Sequence, residues 1–251
     1  MARAITLVTG ASAGLGAEFA RQCRRRGDEL VLVARRRDRL EALAAELGGA
    51  HVVVADLAEP GAPARLLAEV AGLGLELDTL INNAGFGAAG AFVGSPPERL
   101  LEMIDLNVRS LTELCRLALP PMLERRRGFI LNVASTAAFQ AGPYSAVYYA
   151  TKAYVLSLSE ALHEESKGNG VHVSALCPGP TATEFFDVAG SPNGRLAKMA
   201  TDPKAVVAAG LAGLAKNKAI VVPGLVNNIG RQSTRLLPRA TLRRIVSRLK
   251  G

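Results

Sequence analysis

Short apolar runs alternate along the chain with longer segments in which apolar and polar residues recur at helical spacing. Several of these runs are rich in Val and Ile and lack polar alternation, which is typical of strands buried on both faces of a parallel sheet. The segments between them are amphipathic, as in Gly14–Arg26, Arg39–Leu47 and Ala64–Leu73. This alternation predicts an α/β fold: a seven-stranded, mostly parallel, doubly wound sheet with helices on both faces. The predicted strands are Ala4–Val8, Leu30–Val33, His51–Ala55, Thr79–Asn82, Phe129–Val133, Val171–Cys177 and Ala219–Val222.

The length of the chain fits this architecture as a single domain. A chain of 251 residues can bury a full core, and α/β folds of about this size are commonly single units. We therefore expect one domain over residues 1–251. Ligands of doubly wound sheets bind beyond the carboxyl ends of the strands, so the residues that follow each strand are the first candidates for chemistry.

Composition removes several other classes of protein. With 49% hydrophobic and 21% charged residues the chain is not disordered. Its three cysteines and three histidines are scattered, which argues against a disulfide framework or a metal centre. No apolar run is long enough to span a bilayer, and strand-like sequence follows Met1 almost at once, without the apolar segment of a secretory signal. We expect a cytoplasmic protein.

The net charge of +8 belongs to one end of the chain. Residues 231–251 hold seven basic residues and no acidic one, which leaves 23 basic and 22 acidic residues elsewhere. The body is therefore nearly neutral, and the high isoelectric point does not indicate a nucleic-acid-binding protein.

A glycine-rich turn follows the first predicted strand and opens a helix. Glycines let a backbone turn tightly and approach a pyrophosphate, which then meets the free N–H groups of the helix N-terminus. The alternative is an ordinary tight turn between strand and helix. The candidate cofactor-binding residues of this turn are Gly10, Ser12, Ala13, Gly14, Leu15 and Gly16.

The end of the second strand bears on the choice of cofactor. A dinucleotide site selective for NAD usually has an acidic residue here, whereas this chain has Ala34 followed by Arg35, Arg36 and Arg37. Because an arginine pairs well with a 2′-phosphate, we expect NADP(H), with Arg35 as the main contact and Ser12 beside it. The arginines could instead only cap and solubilise the next helix.

Tyr148 and Lys152 form the central catalytic candidate, with Ser135 thirteen positions before the tyrosine. Residues four apart share one face of a helix. An ammonium beside a phenol favours the phenolate, and we expect it to lower the tyrosine pKa by about two to three units, into the range useful for proton transfer. Ser135 follows a strand, where its hydroxyl could hold a substrate oxygen.

Together these motifs resemble those of the short-chain dehydrogenase/reductase family over nearly the whole chain, which implies a Rossmann-type fold. The resemblance implies Tyr148 as general acid/base, Ser135 as the residue that orients a carbonyl, Lys152 as a ribose ligand that tunes the tyrosine, and Asn107 as the holder of a proton-relay water. Asn107 could instead only kink its helix, and Ser135 could be a simple loop hydroxyl. The matching motifs are TGASAGLG at 9–16, Asp56-Leu57, Asn82-Asn83-Ala84-Gly85, Asp105-Leu106-Asn107-Val108, Ser135, Tyr148, Lys152 and CPGPTAT at 177–183.

The same resemblance supplies the remaining cofactor contacts. Asp56 and Leu57 are expected near the adenine, Asn83 near the adenosine ribose, and Thr181 and Thr183 near the nicotinamide carboxamide. Asn83 could equally well pin neighbouring strands. The family resemblance also implies an NADP-dependent oxidoreductase that interconverts a ketone or aldehyde and an alcohol.

Residues 184–200 form a candidate lid, because a Gly/Pro-flanked segment follows the last motif. Nearby aromatic residues could line an apolar pocket for a hydrophobic substrate, although a core or interface role fits them as well. These are Phe86, Phe92, Phe139, Tyr144, Phe185 and Phe186.

The basic extension 231–251 predicts an amphipathic helix with Leu242, Ile245, Val246 and Leu249 on its apolar side. Such a helix can lie on an anionic membrane or an acidic partner, or simply pack on its own domain. A non-catalytic NADP-binding sensor or scaffold that docks through this helix is the alternative function. The apolar helical stretches Glu98–Leu119 and Val147–Glu165 indicate a homodimer or homotetramer.

Overall fold

A computed structural model of the chain describes residues 5–190 and 200–250. Seven parallel strands form one sheet in the order β3-β2-β1-β4-β5-β6-β7, which confirms the predicted fold class. The central strands are apolar and almost wholly buried, because helices cover both faces. The strands are β1 (Ile5–Thr9), β2 (Glu29–Ala34), β3 (His51–Val54), β4 (Leu77–Asn82), β5 (Gly128–Val133), β6 (Val171–Leu176) and β7 (Ile220–Val221).

Helices connect the strands and pack on the two faces of the sheet. One apolar core lies between the sheet and helices α3, α5 and α6, and a second lies between the sheet and α1, α2 and α8. The helices are α1 (Gly14–Arg25), α2 (Arg37–Glu46), α3 (Ala62–Gly72), α4 (Pro97–Ile104), α5 (Leu111–Glu124), α6 (Ala146–Ser166), α7 (Phe185–Val188), α8 (Pro203–Ala215), α9 (Leu225–Leu236) and α10 (Arg239–Lys250).

The strand order reverses between β1 and β4. A crevice forms at such a switch point beyond the carboxyl ends of the strands, since the neighbouring connections leave toward opposite faces. A chain of buried polar side chains fixes α6 against the strands beside this crevice. Asn82 Nδ2 donates to Asn132 Oδ1 at 2.9 Å, and Asn132 Nδ2 donates to Ser159 Oγ at 3.0 Å. These bonds hold the helix that carries Tyr148 in register with β4 and β5.

The long helical stretch predicted over Glu98–Leu119 is not continuous. A π-helical turn over Asp105–Ser110 separates α4 from α5. The turn places the Asn107 side chain in the interior, where Asn107 is 1% exposed. The π-helical turn that buries this polar side chain therefore interrupts the regular α-helix that the apolar pattern predicts.

The basic extension forms the end of α9 and all of α10, joined by a short turn. Of the predicted lid, residues 184–190 and 200 are described, whereas 191–199 lie outside the described residues. None of the helices in the described part of the chain has the length and apolar content needed to cross a membrane.

Candidate active site

A cavity of about 920 Å³ lies at the carboxyl ends of the central strands. It begins at the glycine turn after β1, passes the arginines after β2 and reaches Tyr148 on α6. Its size is at the upper end of the range for cofactor and small-molecule sites. Loops from separate strands meet here because parallel strands end at the same edge of the sheet.

The glycine turn has the backbone geometry that its sequence predicts. Gly10 and Gly14 adopt positive φ angles of 67° and 54°. A Cβ atom on Gly16 would lie 2.1 Å from the carbonyl oxygen of Gly10, so a side chain at this position would push the turn apart. The backbone therefore stays close around the N-terminus of α1, where free N–H groups can meet a phosphate.

Arg35 and Arg36, which follow β2, contact different partners. Arg36 reaches back to the glycine turn, with its Nε 3.2 Å and one terminal nitrogen 3.1 Å from Ser12 Oγ. Arg35 instead donates to Asp56 at 3.4 Å and Glu102 at 3.3 Å. Both arginines line the cavity, but the structure brings Arg36 to Ser12, where the sequence analysis expected Arg35.

Glu184 connects the lid base to these arginines. Its carboxylate accepts a hydrogen bond from Arg36 at 3.1 Å and another from Arg39 at 2.5 Å. The two guanidinium groups, Arg39 first, hold the pKa of this carboxyl below its ordinary value. The negative carboxylate thus occupies the neighbourhood of Ser12 and Arg36, where the sequence predicts the 2′-phosphate.

The other predicted adenosine contacts also border the cavity. Asp56 and Leu57 follow β3, and Leu57 is 4% exposed. Asn83 has a structural role, because its Nδ2 donates to the Thr9 carbonyl at 2.9 Å. The strand-pinning interpretation of Asn83 is therefore observed, and the same side chain lines the cavity.

Ser135 follows β5 and caps a short 3₁₀ turn over Thr136–Phe139. Its Oγ accepts a hydrogen bond from the Ala137 N–H at 3.1 Å and donates one to the Pro178 carbonyl at 3.5 Å. The Ser135 side chain lies close enough to Tyr148 to act on its pKa. The serine therefore has a fixed orientation beside the tyrosine. Ser135, Tyr148 and Lys152 all line the same end of the cavity, as the sequence predicts.

Lys152 lies one helical turn after Tyr148 on α6. Its Nζ donates to the Val133 carbonyl at 2.7 Å and lies 5.9 Å from the centroid of the Tyr148 ring. The neighbouring Tyr149 points elsewhere and packs against Ala137 and Val246. The four-residue spacing thus selects Tyr148 as the partner of Lys152.

Burial sets the pKa values of this pair. Desolvation raises the pKa of Tyr148 to about 12, and the hydrogen bond with Ser135 opposes that rise only in part. Desolvation lowers the pKa of Lys152 to about 8. The expected lowering of the Tyr148 pKa is therefore wrong for this structure, because the loss of solvent around the phenol outweighs the interaction with Ser135. At neutral pH the phenol is protonated and the lysine is mostly charged.

Asn107 is fully engaged inside the protein. Its Oδ1 accepts from the Phe86 N–H at 3.1 Å, while its Nδ2 donates to the Phe86 carbonyl at 2.9 Å and to Thr151 Oγ1 at 3.1 Å. The side chain therefore ties the loop after β4 to α6. The π turn agrees with the helix-kink interpretation, and the relay-water role stays a prediction.

Thr181 and Thr183 lie on the loop after β6 and line the cavity. The side chain of Thr183 covers Gly14, where an added Cβ atom would lie 3.0 Å from its own Cβ. The loop therefore closes directly over the glycine turn. The predicted threonine contacts and the predicted phosphate site are neighbours in space.

The predicted aromatic residues divide between cavity, core and surface. Phe86, Phe185 and Tyr144 line the cavity, and the Phe185 ring lies 5.3 Å from that of Tyr148. Phe139 packs against the core, and the guanidinium of Arg231 lies over its ring. Phe92 is exposed. The side chain of Phe186 lies outside the described residues. An apolar wall thus surrounds Tyr148.

Three contributors to the site were missed by sequence reasoning. The sequence analysis treated Arg36 only as part of an arginine run, Glu184 only as part of the lid, and Val246 only as part of the apolar side of the tail helix. Val246 lines the cavity from α10, far along the chain from any motif. No local pattern could identify it, whereas the Arg36–Ser12 contact had a signal in the arginine run itself.

The residues present fit a dinucleotide. The glycine turn leaves room that side chains would fill, basic groups lie beside it, and polar groups at the far end face an apolar wall. Along this one cavity, the adenosine, pyrophosphate and nicotinamide portions of a dinucleotide would each meet residues of the appropriate type.

Known proteins with similar sequences are named as reductases and dehydrogenases. The very-long-chain 3-oxoacyl-CoA reductase of Anas platyrhynchos is 34% identical over 192 residues, 72% of this chain and 61% of that protein. The chain thus spans about three-fifths of the length of that reductase. The NADP-dependent 3-hydroxy acid dehydrogenase YdfG of Salmonella typhi is 39% identical over 191 residues, 73% of this chain and 75% of that protein.

Solved structures extend the likeness to the whole fold. A short-chain dehydrogenase from Sphingobium yanoikuyae in complex with NADPH is 33% identical, with a TM-score of 0.82, covering 94% of this chain and 96% of that one. The family model described as short chain dehydrogenase matches residues 4–193. The motifs, the sheet order and these matches agree, and the chain belongs to the short-chain dehydrogenase family.

Proposed function

We propose that this protein is an NADP(H)-dependent oxidoreductase that reduces hydrophobic ketones or aldehydes to alcohols. One observation carries the proposal: a single cavity is lined by the glycine turn, by Arg36 and Ser12 in contact with each other, and by Ser135, Tyr148 and Lys152. The Sphingobium dehydrogenase was solved with NADPH and the Salmonella relative is named as NADP-dependent, which supports the same cofactor here.

Each residue of the catalytic end has a role in this proposal. A bound NADPH supplies the hydride for the carbonyl carbon. Tyr148 donates the proton to the carbonyl oxygen, and Ser135 holds that oxygen by a hydrogen bond. Lys152 binds the nicotinamide ribose and keeps a positive charge near the phenol as it gives up its proton. A phenol that is protonated at neutral pH carries the proton that the reduction of a carbonyl requires.

At the other end of the cavity, Arg36 and Ser12 hold the 2′-phosphate, with Arg35 on the opposite side. Asp56 and Leu57 border the adenine, Asn83 the adenosine ribose, and Thr181 and Thr183 the nicotinamide carboxamide. Ser12 and Arg36 are already within hydrogen-bond distance of each other, so a phosphate bound there would meet donors that are in place.

The apolar wall supports a hydrophobic substrate. Phe86, Phe185, Val188 and Val246 line the cavity near Tyr148. The name of the Anas reductase, which acts on very-long-chain 3-oxoacyl-CoA, is consistent with an apolar chain at this position. A non-catalytic sensor would have no use for a serine and a lysine positioned around a protonated phenol.

A homodimer is the proposed assembly. Leu101, Ile104 and Leu117 on α4 and α5 are exposed apolar side chains on the predicted pairing surface. Light scattering on the purified chain tests this, with Leu117→Asp expected to shift the protein toward monomer. A monomeric wild-type protein would remove the assembly. The cytoplasmic location expected from the sequence stays a prediction.

Loss of NADPH absorbance with a panel of hydrophobic ketones and aldehydes tests the function. Tyr148→Phe should lower kcat by about 10²- to 10⁴-fold with little change in NADPH affinity, because only the proton donor is removed. Tyr154→Phe is the matched control: it removes a phenol hydroxyl from the same helix, where Tyr154 contacts Thr112. Full activity of Tyr148→Phe would overturn the acid/base role. Tight NADPH binding without turnover of any carbonyl compound would favour the sensor.

A further inference from the structure

Helix α9 directs its polar side toward the protein. Asn228 Nδ2 donates to the Val222 carbonyl at 2.9 Å, and the Arg231 guanidinium lies over the Phe139 ring, 5.5 Å from its centroid. Surface helices ordinarily bury an apolar stripe and expose their polar face. In α9 the arrangement is reversed, and none of its twelve residues is buried.

The outward side of α9 carries large apolar residues. Leu225 is 77% exposed, Val226 74%, Ile229 61% and Leu236 84%. Leu225, Ile229 and Leu236 recur at helical spacing, so they form one stripe. Exposed apolar residues continue around the following turn and α10. We call this set the C-terminal patch: Leu225, Val226, Ile229, Leu236, Leu237 and Ile245.

The patch differs from the apolar face that the sequence predicts for the tail. That face centred on α10, but Val246 of α10 is 8% exposed and packs against Tyr149 and Ala137. Helix α10 therefore behaves in part as a packed terminal helix. The unpartnered apolar stripe lies mainly on α9, most of it before or at the start of the basic extension.

Five exposed arginines accompany the C-terminal patch, and none of them forms an ion pair with a residue that the structure describes. No aspartate or glutamate follows Asp202 in the sequence, so α9 and α10 themselves carry only positive charges. The five are Arg235, Arg239, Arg243, Arg244 and Arg248.

We propose that the C-terminal patch docks on the surface of an anionic lipid bilayer. Apolar side chains on one side of a short helix, together with unpaired arginines, are the chemistry that inserts into the headgroup region of negatively charged lipid. A second copy of this chain fits the charges less well, because two sets of arginines on helices that carry no carboxylates would repel each other at close range. The proposal is independent of catalysis.

The C-terminal patch is connected to the cavity through α10. Ile245 belongs to the patch, whereas the next residue, Val246, lines the cavity. The same helix thus joins the proposed lipid contact to the apolar wall near Tyr148. A docked molecule would hold that wall beside a reservoir of hydrophobic compounds.

Sedimentation of the full chain with vesicles tests the proposal. We expect binding to vesicles of phosphatidylcholine mixed with phosphatidylserine at low salt, and weaker binding to phosphatidylcholine alone or at high salt. Leu236→Asp and Ile229→Asp should each lower the partition coefficient by about tenfold or more, since a charge replaces an inserted apolar side chain. Arg243→Gln with Arg244→Gln should lower it by roughly fivefold per arginine.

Matched controls lie in the connections that precede β4 and β7, at the amino ends of these strands. Leu73→Asp places a charge on a half-exposed leucine after α3, and Lys216→Gln with Lys218→Gln removes two exposed charges after α8. These variants should bind vesicles like the wild type. Thermal melts check that every variant is folded, and the replaced patch residues are mostly solvent-exposed.

Three results would overturn the proposal. The first is a wild-type protein that does not sediment with phosphatidylserine vesicles at low salt. The second is equal loss of binding in the patch variants and the control variants. The third is an Ile229→Asp protein that binds vesicles normally but has changed from dimer to monomer in light scattering, which would identify the patch as an interface between copies.

Discussion

At the glycine-turn end of the cavity, Arg36 and Arg39 pair with Glu184 at the protein surface. At the catalytic end, the Lys152 ammonium is buried and donates to a backbone carbonyl. The first group of charges is exposed to water and offers several interchangeable partners. The second has a single fixed arrangement. One cavity therefore contains two electrostatic environments.

This difference determines how sensitive each end is to substitution. Water screens the exposed ion pairs, so each contributes little free energy and can exchange one partner for another. Around Tyr148 and Lys152 the loss of solvent itself moves both pKa values, so the protonation of each group depends on its burial. We expect large effects at the catalytic end and small, cofactor-specific effects at the phosphate end.

The largest expected effect in this comparison comes from Lys152→Met. Removing the ammonium leaves Tyr148 without a positive neighbour when it gives up its proton, so kcat should fall by at least about a hundredfold. Steady-state kinetics with NADPH and an active carbonyl substrate measures this. Because Met fills a similar volume, the protein should remain folded.

Lys167→Met is the control for this substitution. Lys167 is exposed at the end of the same helix and pairs with Glu164, so kcat should be unchanged. A Lys152→Met protein with near-normal kcat would show that burial alone, without a cation, suffices for the tyrosine to act.

At the phosphate end, Arg36→Gln should raise the Kd for NADPH by roughly tenfold, in line with the loss of a charge-assisted hydrogen bond that is partly exposed. The Kd for NADH should change little, because NADH lacks the 2′-phosphate. Arg35→Gln should have the smaller effect, since Arg35 faces Asp56 and Glu102. Fluorescence titration of both nucleotides measures these values. A larger effect at Arg35 would restore the contact predicted from the sequence.

Much of this site could be predicted because its residues follow strands. The apolar runs indicated all seven strands, and parallel strands bring their carboxyl ends together, so Ser135 and the glycine turn had to lie along the same edge of the sheet. The offset between Tyr148 and Lys152 is likewise a property of a regular helix. These features depend on the backbone pattern alone.

The features that could not be predicted depend on side-chain direction and burial. Arg35 and Arg36 are adjacent, and only the path of the chain after β2 decides which one faces Ser12. The Tyr148 pKa depends on how completely the fold excludes water from the phenol. The amphipathic pattern of α9 is visible in the sequence, but it does not reveal that the polar side faces inward.

The buried ammonium should also appear as a pH dependence of stability. Lys152 has a pKa of about 8 when folded and an ordinary value of 10.5 when unfolded. Above about pH 8 the unfolded chain therefore binds more protons, and wild-type stability gains up to about 1.4 kcal/mol per pH unit from this group. Lys152→Met lacks this gain. The free energy of unfolding of Lys152→Met relative to that of the wild type should therefore be highest near pH 7. This difference should fall by roughly 1 kcal/mol by pH 9.

Urea unfolding of both proteins across this range measures the difference. Burial raises the pKa values of Cys23 and Cys115 to about 12, which lowers stability as pH rises above about 9, but this contribution is common to both proteins. A constant difference between the two proteins from pH 7 to 9 would mean that the lysine does not titrate in this window.

The smallest expected effect is at Glu184, whose carboxylate competes with a 2′-phosphate for Arg36. Glu184→Gln removes the negative charge and leaves the arginine available. Exposed ion pairs contribute up to about 1 kcal/mol, so NADPH should bind up to about fivefold more tightly, with NADH unaffected. The same titration that tests Arg36 measures this gain, and it should diminish at high salt.

Glu41→Gln is the matched control, because Glu41 pairs with Arg37 on the same surface but does not contact Arg36. It should leave the affinity for NADPH unchanged. Weaker NADPH binding in Glu184→Gln would mean that the carboxylate positions Arg36 for the phosphate instead of competing with it. The Arg36–Glu184 pair would then act as a fixed unit like Tyr148 and Lys152, and the contrast between the two ends of the cavity would no longer hold.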